Sequence, residues 1–447
     1  MSNPGDEDTT PITGAGQLAD YLAAGGKPKH DWRIGTEHEK FGFSRRSASP
    51  IPYEPAGIKA VLEGLAPLGW KRIDDGGRLI ALSQAGRSIS LEPGGQLELS
   101  GAPVATLHET KAEMDAHFGE LREACDPMFI GFAPLGFHPT ATRAQMPLMP
   151  KSRYDIMKRY MPKVGDLGLD MMLRTCTVQV NLDFADETDM VRKLRVSTLL
   201  QPVATALFAN SPFREGKPSG YLSTRGHVWT DVDNQRSGMP AVYFEDGFGF
   251  DAYVEWLLDV PMYFVARGGR LIDVAGASFR RWLERREDRL ADLEPTLGDF
   301  ADHLTTAFPD VRLKRFLEMR GADAGSPAMM LAQSALWVGL LQDDTALAAA
   351  EALVAGHDWR EFVALRGIVP EQGLRARVGD LSAAALARGM VEAAVHGLKE
   401  RGLNEQAYLA PLEAIADGAP VQAEHWLSRY ETAWKGDAGR VFAEASV

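Results

Sequence analysis

Polar and apolar side chains alternate with the period of a β-strand in several stretches of this chain, and those stretches carry many of its carboxylates. Across Gly35–Phe43 (GTEHEKFGF), Glu37 and Glu39 share a side with Phe41, while His38 and Lys40 point the other way. In Arg174–Phe184, Thr175, Thr177, Gln179, Asn181 and Asp183 line one face and Cys176, Val178, Val180, Leu182 and Phe184 the other. One side of that strand packs on a core and the other meets something polar. Ser90–Ser100 places Glu92 and Glu98 on either side of a Pro93-Gly94-Gly95 turn, and strand-like Val311–Arg320 sets Glu318 and Arg320 on one face against Leu317 and Met319.

The region 31–100 otherwise reads as strands and hairpins, turning at Asp75-Gly76-Gly77 and Ala85-Gly86. Helical periodicity occupies 14–25 and 56–68, and a long amphipathic helix runs from Pro103, a residue favoured in a first turn, to about Ala124. A strand is expected near 128–137, a helix over Ser152–Tyr160 and another over Glu187–Ala209. A loop-rich stretch over 210–250 follows, and from about 326 onward Ala, Leu and Glu recur in helical spacing. The pattern predicts an α+β fold, with an antiparallel sheet and helices segregated around it.

The chain has 447 residues, a formal charge of −13 and a hydrophobic fraction of 45%, the composition of an ordinary soluble protein able to bury a large core. That charge argues against a nucleic-acid or anionic-membrane surface. Cys125 and Cys176 are the only cysteines, so neither a disulfide framework nor a zinc site is indicated, and Cys176 reads as core. The polar, acidic Met1–Thr10 lacks a secretory apolar segment and the Arg/Ser bias of a transit peptide. No apolar run is long enough to span a bilayer.

Carboxylates two residues apart on one strand face repel unless cations sit between them. Glu37, Glu39, Glu92, Glu98, Gln179 and Glu318 form a set of hard oxygen donors, which favours Mg²⁺ or Mn²⁺ over zinc. Both phosphate-binding glycine motifs are missing, so ATP would have to be held by metal and scattered cations. Lys151, Arg153, Lys158, Arg159, Lys163 and Arg174 supply candidates, with Lys163 and Arg174 taken as ATP-binding. Arg225 and Trp229, in a Gly-flanked loop, have the look of carboxylate recognition.

The ordered motifs GTEHEKFGF, SLEPGGQLELSGAP (90–103), MPKSRYDIMKRYMPKVGDLGLDMMLRTCTVQVNLDF (149–184), ATALFANSPFREGKPSGYLSTRGHVWTD (204–231), DVPMYF (259–264) and HLTTAFPDVRLKRFLEMRGAD (303–323) resemble those of the plant-type glutamate–cysteine ligases, which occur in plants and many bacteria. The resemblance covers about residues 30–345 and is loose beyond. It implies a glutamine-synthetase-like fold, a curved antiparallel sheet forming a cup for ATP and metal ions. The corresponding division is an N-terminal segment over 1–30, a catalytic domain over 31–345 and a helical region over 346–447 packed on it.

By the same resemblance Glu37, Glu39, Glu98 and Glu318 are metal ligands, with Glu92 and Gln179 as additions. Arg153, Arg225, Trp229 and Tyr263 fall among the residues that bind the amino acids, and Arg225 and Arg320 are the catalytic cations. The implied reaction is ATP-dependent joining of the glutamate γ-carboxylate to the cysteine α-amino group through γ-glutamyl phosphate. A related ligase using another amine is the alternative. The implied partners are glutamate, cysteine and ATP, with no nucleic acid or membrane, in a monomer or weak homodimer. Positions of the plant enzymes' redox disulfides are occupied by Lys111, Leu331, Val274 and Arg289, so a thiol switch is not expected, and the lack of a transit-like segment leads to the expectation of a bacterial, cytoplasmic version.

Overall fold

The computed structural model describes residues 8–447, and the first seven residues of the N-terminal segment lie outside them. A nine-stranded sheet organises the chain. Its strands are β1 (Ile34–Ser44), β2 (Lys71–Asp75), β3 (Arg78–Gln84), β4 (Arg87–Leu91), β5 (Gln96–Ser100), β6 (Ile130–Ala133), β7 (Thr177–Leu182), β8 (Val311–Leu313) and β9 (Leu317–Asp323). They follow the order β8-β9-β7-β1-β5-β4-β3-β2, with β6 paired to the far end of β1, and every pairing is antiparallel. The fold is therefore α+β, as the alternating pattern predicts.

Two-residue turns join β2 to β3 and β3 to β4, at Gly76-Gly77 and Ala85-Gly86, and all four residues have positive φ. That geometry matches the right-handed strand twist, and glycine adopts it without penalty. Helices cover the face opposite Glu37 and Glu39. The first, α1 (Leu107–Cys125), sets His117 and Phe118 against His38 at ring distances of 5.6 and 5.4 Å. Further along, α2 (Ser152–Tyr160), α3 (Gly168–Arg174), α4 (Glu187–Leu207) and the short α5 (Thr224–Val228) lead to α6 (Pro327–Leu341). Nearly all of α6 is buried, and its Ser334 Oγ lies 2.8 Å from Thr36 Oγ1 on β1. Beyond it come α7 (Trp359–Gln372) and α8 (Ala383–Glu400). Among the described residues no helix is long and apolar enough to cross a membrane.

Some element boundaries differ from the sequence reading. α1 begins at Leu107 rather than Pro103, because Thr106 and Glu109 form a capping box while Val104 pairs in extended form with Ile34. The expected strand over 128–137 shrinks to β6 after a short turn at Asp126–Met128. Arg174 ends a helix instead of opening a strand, held by Asp170 one turn back. Val311–Arg320 is a hairpin, not one strand.

Candidate active site

Register places the acidic side chains in rows across the face opposite α1 and α6. Glu39 stands opposite Glu98 and Glu37 opposite Gln179, while Glu318 pairs in register with Asn181 on β7 and Arg312 on β8. The turn Pro93-Gly94-Gly95 returns the chain so that Glu92 joins Glu98. Gln96 fixes that turn, accepting from Gly94 N at 2.8 Å and donating to Thr175 O at 2.9 Å. A bulge between Met319 and Ala322 frees two carbonyls from the ladder. Both accept from the Arg225 guanidinium, Arg320 O at 2.6 Å and Gly321 O at 3.2 Å.

These groups converge on one small cavity, about 60 Å³, lined by Glu37, Glu39, Glu92, Glu98, Gln179 and Glu318 together with Arg225, Trp229 and Arg320. Arg320 Nη1 donates to Gln179 Oε1 at 2.6 Å and is in close contact with Glu318. The indole Nε1 of Trp229 is buried with no hydrogen-bond partner in the protein. A buried donor of this kind is costly unless a ligand satisfies it.

The two halves of the cavity differ electrostatically. On the β8–β9 side cations dominate: although burial opposes ionisation, the Arg312, Lys314 and Arg320 charges hold the Glu318 carboxyl well below its usual range. Arg312 grips both Glu318 oxygens at 2.8 Å, and Lys314 Nζ approaches at 2.9 Å. On the β1–β5 side anions dominate: burial, then the Glu92 and Glu98 charges, push the Glu39 carboxyl well above its ordinary value. Glu39 accepts from Thr177 N at 3.0 Å, Glu98 from Ser100 Oγ at 2.7 Å and Glu37 from Asn181 Nδ2 at 2.9 Å.

No three His, Cys, Asp or Glu side chains among the described residues form a ready-made metal-holding group. The donors on the Glu39 side still fit a hard cation, because Mg²⁺ keeps several waters and is bound by one or two carboxylates plus substrate phosphate rather than by an all-protein cage. Glu318 fits less well, since its oxygens are already occupied by arginine and lysine.

Of the residues given a binding or catalytic role from the sequence, four do not line this cavity. Arg153 borders a second, larger one of about 550 Å³, between the β2–β3 turn and the hairpin Phe264–Asp273, with Lys151 beside it. The Nε and Nη2 of Arg153 are buried with no protein partner, and Lys151 and Arg153 both bear electrostatically on Glu92, which sits in the first cavity. Tyr263 is fully buried beneath the Arg236 guanidinium, 4.0 Å from its ring centre, and supports the wall instead of facing it. Lys163 is exposed on the turn after α2. Arg174 is consumed by structure, donating to Asp170, Ala141 O and Glu215 at 2.6, 3.0 and 2.9 Å. Neither of these last two lines either cavity.

The sequence reading missed Arg312, Gln96 and Asp323. Asp323 is fully buried and accepts from Ser211 Oγ, Ser223 Oγ and Asn210 N at 2.6, 2.8 and 2.9 Å, tying the Arg225 loop to β9. Its signal was present in the alternation, but the bulge shifts its parity relative to Glu318. Arg312 shares parity with Glu318 across a turn that was read as continuous strand.

A floor of carboxylates thus faces a wall of arginine guanidiniums across one cavity. Residues 33–444 match the model of glutamate–cysteine ligase family 2, and the chain belongs to that family. It is 49% identical over 437 residues to the chloroplastic glutamate–cysteine ligase B of Oryza sativa subsp. japonica, covering 98% of this chain and 88% of that protein. To the chloroplastic glutamate–cysteine ligase of Arabidopsis thaliana it is 48% identical over 437 residues, covering 98% and 83%. The fold is similar to a crystal structure of glutamate–cysteine ligase from Francisella tularensis in complex with AMP, with a TM-score of 0.53 at 12% identity over 92% of this chain and 88% of that one. The expectation of a cytoplasmic version is overturned, because relatives matching almost the whole chain are chloroplastic enzymes.

Proposed function

We propose that the cavity joins the γ-carboxylate of L-glutamate to the α-amino group of L-cysteine at the expense of ATP. Family membership carries the activity: the chain is an ATP-dependent glutamate–cysteine ligase, which performs the first step of glutathione biosynthesis. Amide formation in water is uphill, so the carboxylate must first become a better electrophile. Transfer of the ATP γ-phosphoryl group to it gives γ-glutamyl phosphate, and the cysteine amine then displaces phosphate. Arg320 and Arg225 offset the charge that gathers as two anions meet, and Trp229 with Arg225 orients an amino-acid carboxylate.

Magnesium, when bound, supplies charge compensation between the triphosphate and the protein; Glu39, Glu92 and Glu98 would hold it, with Glu37 and Gln179 beside them. Glu318 is assigned to ordering Arg312 and Arg320 as much as to a metal. The larger cavity has room for an adenosine moiety, and Lys151 and Arg153 stand between it and the acidic floor, so these two replace Lys163 and Arg174 as the phosphate-holding pair. On this reading the sheet acts as the cup of a glutamine-synthetase-like catalytic domain over 31–345, with 346–447 packed on it. A monomer or weak homodimer is the proposed assembly.

The observation that carries this reading is the opposition of Glu39 and Glu98 beside Arg320 within one cavity. An assay with ATP, glutamate and a panel of amines, the product identified by mass, tests it. Preference for cysteine with ADP and phosphate release is expected, and a different preferred amine would move the assignment to a related ligase.

A further inference from the structure

The helix α7 lies outside the motif-bearing part of the chain, yet it holds both ends of α5, which carries Arg225 and leads into Trp229. Pro370, in the last turn of α7, has a carbonyl with no intrahelical partner to satisfy. That carbonyl accepts from Leu222 N at 2.7 Å and Ser223 N at 3.0 Å, and Ser223 caps α5 by accepting from Gly226 N at 2.9 Å. One turn earlier, Arg366 Nη2 donates to Trp229 O at 3.0 Å, beyond the other end of α5.

The same guanidinium forks onto Asp310, with Nε at 2.6 Å from Oδ2 and Nη2 at 3.0 Å from Oδ1. Asp310 in turn accepts from Arg320 N at 3.1 Å through its own carbonyl, and its N–H donates to Gly238 O at 2.7 Å. One side chain thus links the backbone of Trp229 to the turn that seats Arg320. Arg366 and Asp310 are mostly buried, and they line a small recess that shares Arg225, Trp229 and Arg320 with the main cavity.

We propose that Arg366 is a positioning residue for the amino-acid substrate, setting the distance between Trp229 and Arg320 from the opposite side of their wall. The proposal rests on the reading that Arg225 and Trp229 bind an amino-acid carboxylate. A guanidinium suits this task because its planar fork reaches a carboxylate and a carbonyl at fixed angles, which an ammonium does not.

The test compares steady-state kinetics of the full-length enzyme with Trp229→Ala, Arg366→Gln and Arg366→Lys, each assayed well below its own thermal midpoint. Trp229→Ala tests the reading of the wall itself. For Arg366→Gln, a rise of about tenfold in the KM of glutamate or cysteine is expected, with kcat and the KM of ATP within about twofold, and Arg366→Lys falls between the variant and wild type. A purely structural role predicts instead a general loss of kcat with the amino-acid KM values unchanged. An effect of Trp229→Ala without one of Arg366→Gln overturns the positioning role and leaves the wall reading standing. No effect of either overturns both. Should Arg366→Gln fail to accumulate folded, Asp310→Asn is read in its place, with the same split expected and an unchanged amino-acid KM counting as refutation.

Discussion

Glu39 and Glu98 stand directly opposite each other on β1 and β5, two carboxylates in register on the buried floor of the cavity. Burial and the neighbouring charges raise the Glu39 carboxyl well above 4.5. A carboxyl raised in the folded state adds stability that is complete below the unfolded value and is lost as pH climbs through the folded one. Metal-free protein therefore carries an electrostatic penalty at neutral pH. The Glu39→Gln variant is expected to melt at a higher temperature than wild type at pH 7 without metal, with the difference vanishing below about pH 4. Its ligase turnover should fall about a hundredfold or more, because a ligand for charge compensation is gone. Parallel melting curves across pH, with and without Mg²⁺, check both halves, and a lower midpoint for Glu39→Gln at pH 7 contradicts the sign.

The Arg312–Glu318 pair makes the opposite case. Arg312 spends its remaining donors on Thr305 O and Ala307 O, each at 3.0 Å, so it is fully committed. Replacing it with Gln leaves Glu318 buried with less compensation, an effect of about 3–5 kcal/mol for a broken buried pair. Denaturant midpoints of Arg312→Gln and of the double variant Arg312→Gln/Glu318→Gln distinguish the mechanism: the double variant recovers much of the loss if the uncompensated charge is the cause.

The turn that returns Glu92 toward Glu98 has no room for a side chain. A Cβ on Gly94 would lie 2.1 Å from Leu173 O, at a backbone atom that cannot rotate away. Gly94→Ala is expected to destabilise by about 1–3 kcal/mol and to lower turnover, since relieving the clash displaces the strand bearing Glu98. Chemical denaturation and the KM of MgATP report the two effects.

Period-two alternation was sufficient to place Glu37, Glu39, Glu98, Gln179 and Glu318 on one face, because strand geometry leaves no other choice once one side packs on helices. The same logic failed at Asp323, where a single extra residue in β9 reverses facing, and at Arg174, where an i, i+4 pair with Asp170 favours helix locally. Charge type alone did not show that Arg174 is paired with Asp170 and Glu215 or that Lys163 faces solvent, since a cation in a motif-rich segment can serve a structural carboxylate or water as readily as phosphate. Arg366 was invisible because its role depends on a helix from the far end of the chain docking behind Trp229, a contact no local pattern encodes.

Arg153 supplies the clearest kinetic separation. Its Nε and Nη2 are buried without protein partners, and its guanidinium carbon lies 5.4 Å from the Phe264 ring centre, so the side chain is held in place yet has donors to offer. On the proposed placement of ATP, a triphosphate crossing from the larger cavity toward the acidic floor would pass this point and Lys151. Loss of one charge-assisted contact to phosphate is worth about tenfold or more in affinity. Arg153→Ala should therefore raise the KM of ATP by that factor while leaving the KM of cysteine near wild type, and the ADP affinity measured by calorimetry should weaken in step. If Arg153 binds an amino-acid carboxylate instead, the glutamate or cysteine KM rises while ADP binding stays unchanged. Calorimetry with ADP alone separates these outcomes without relying on turnover, because no amino acid is present to compensate for a misplaced phosphate.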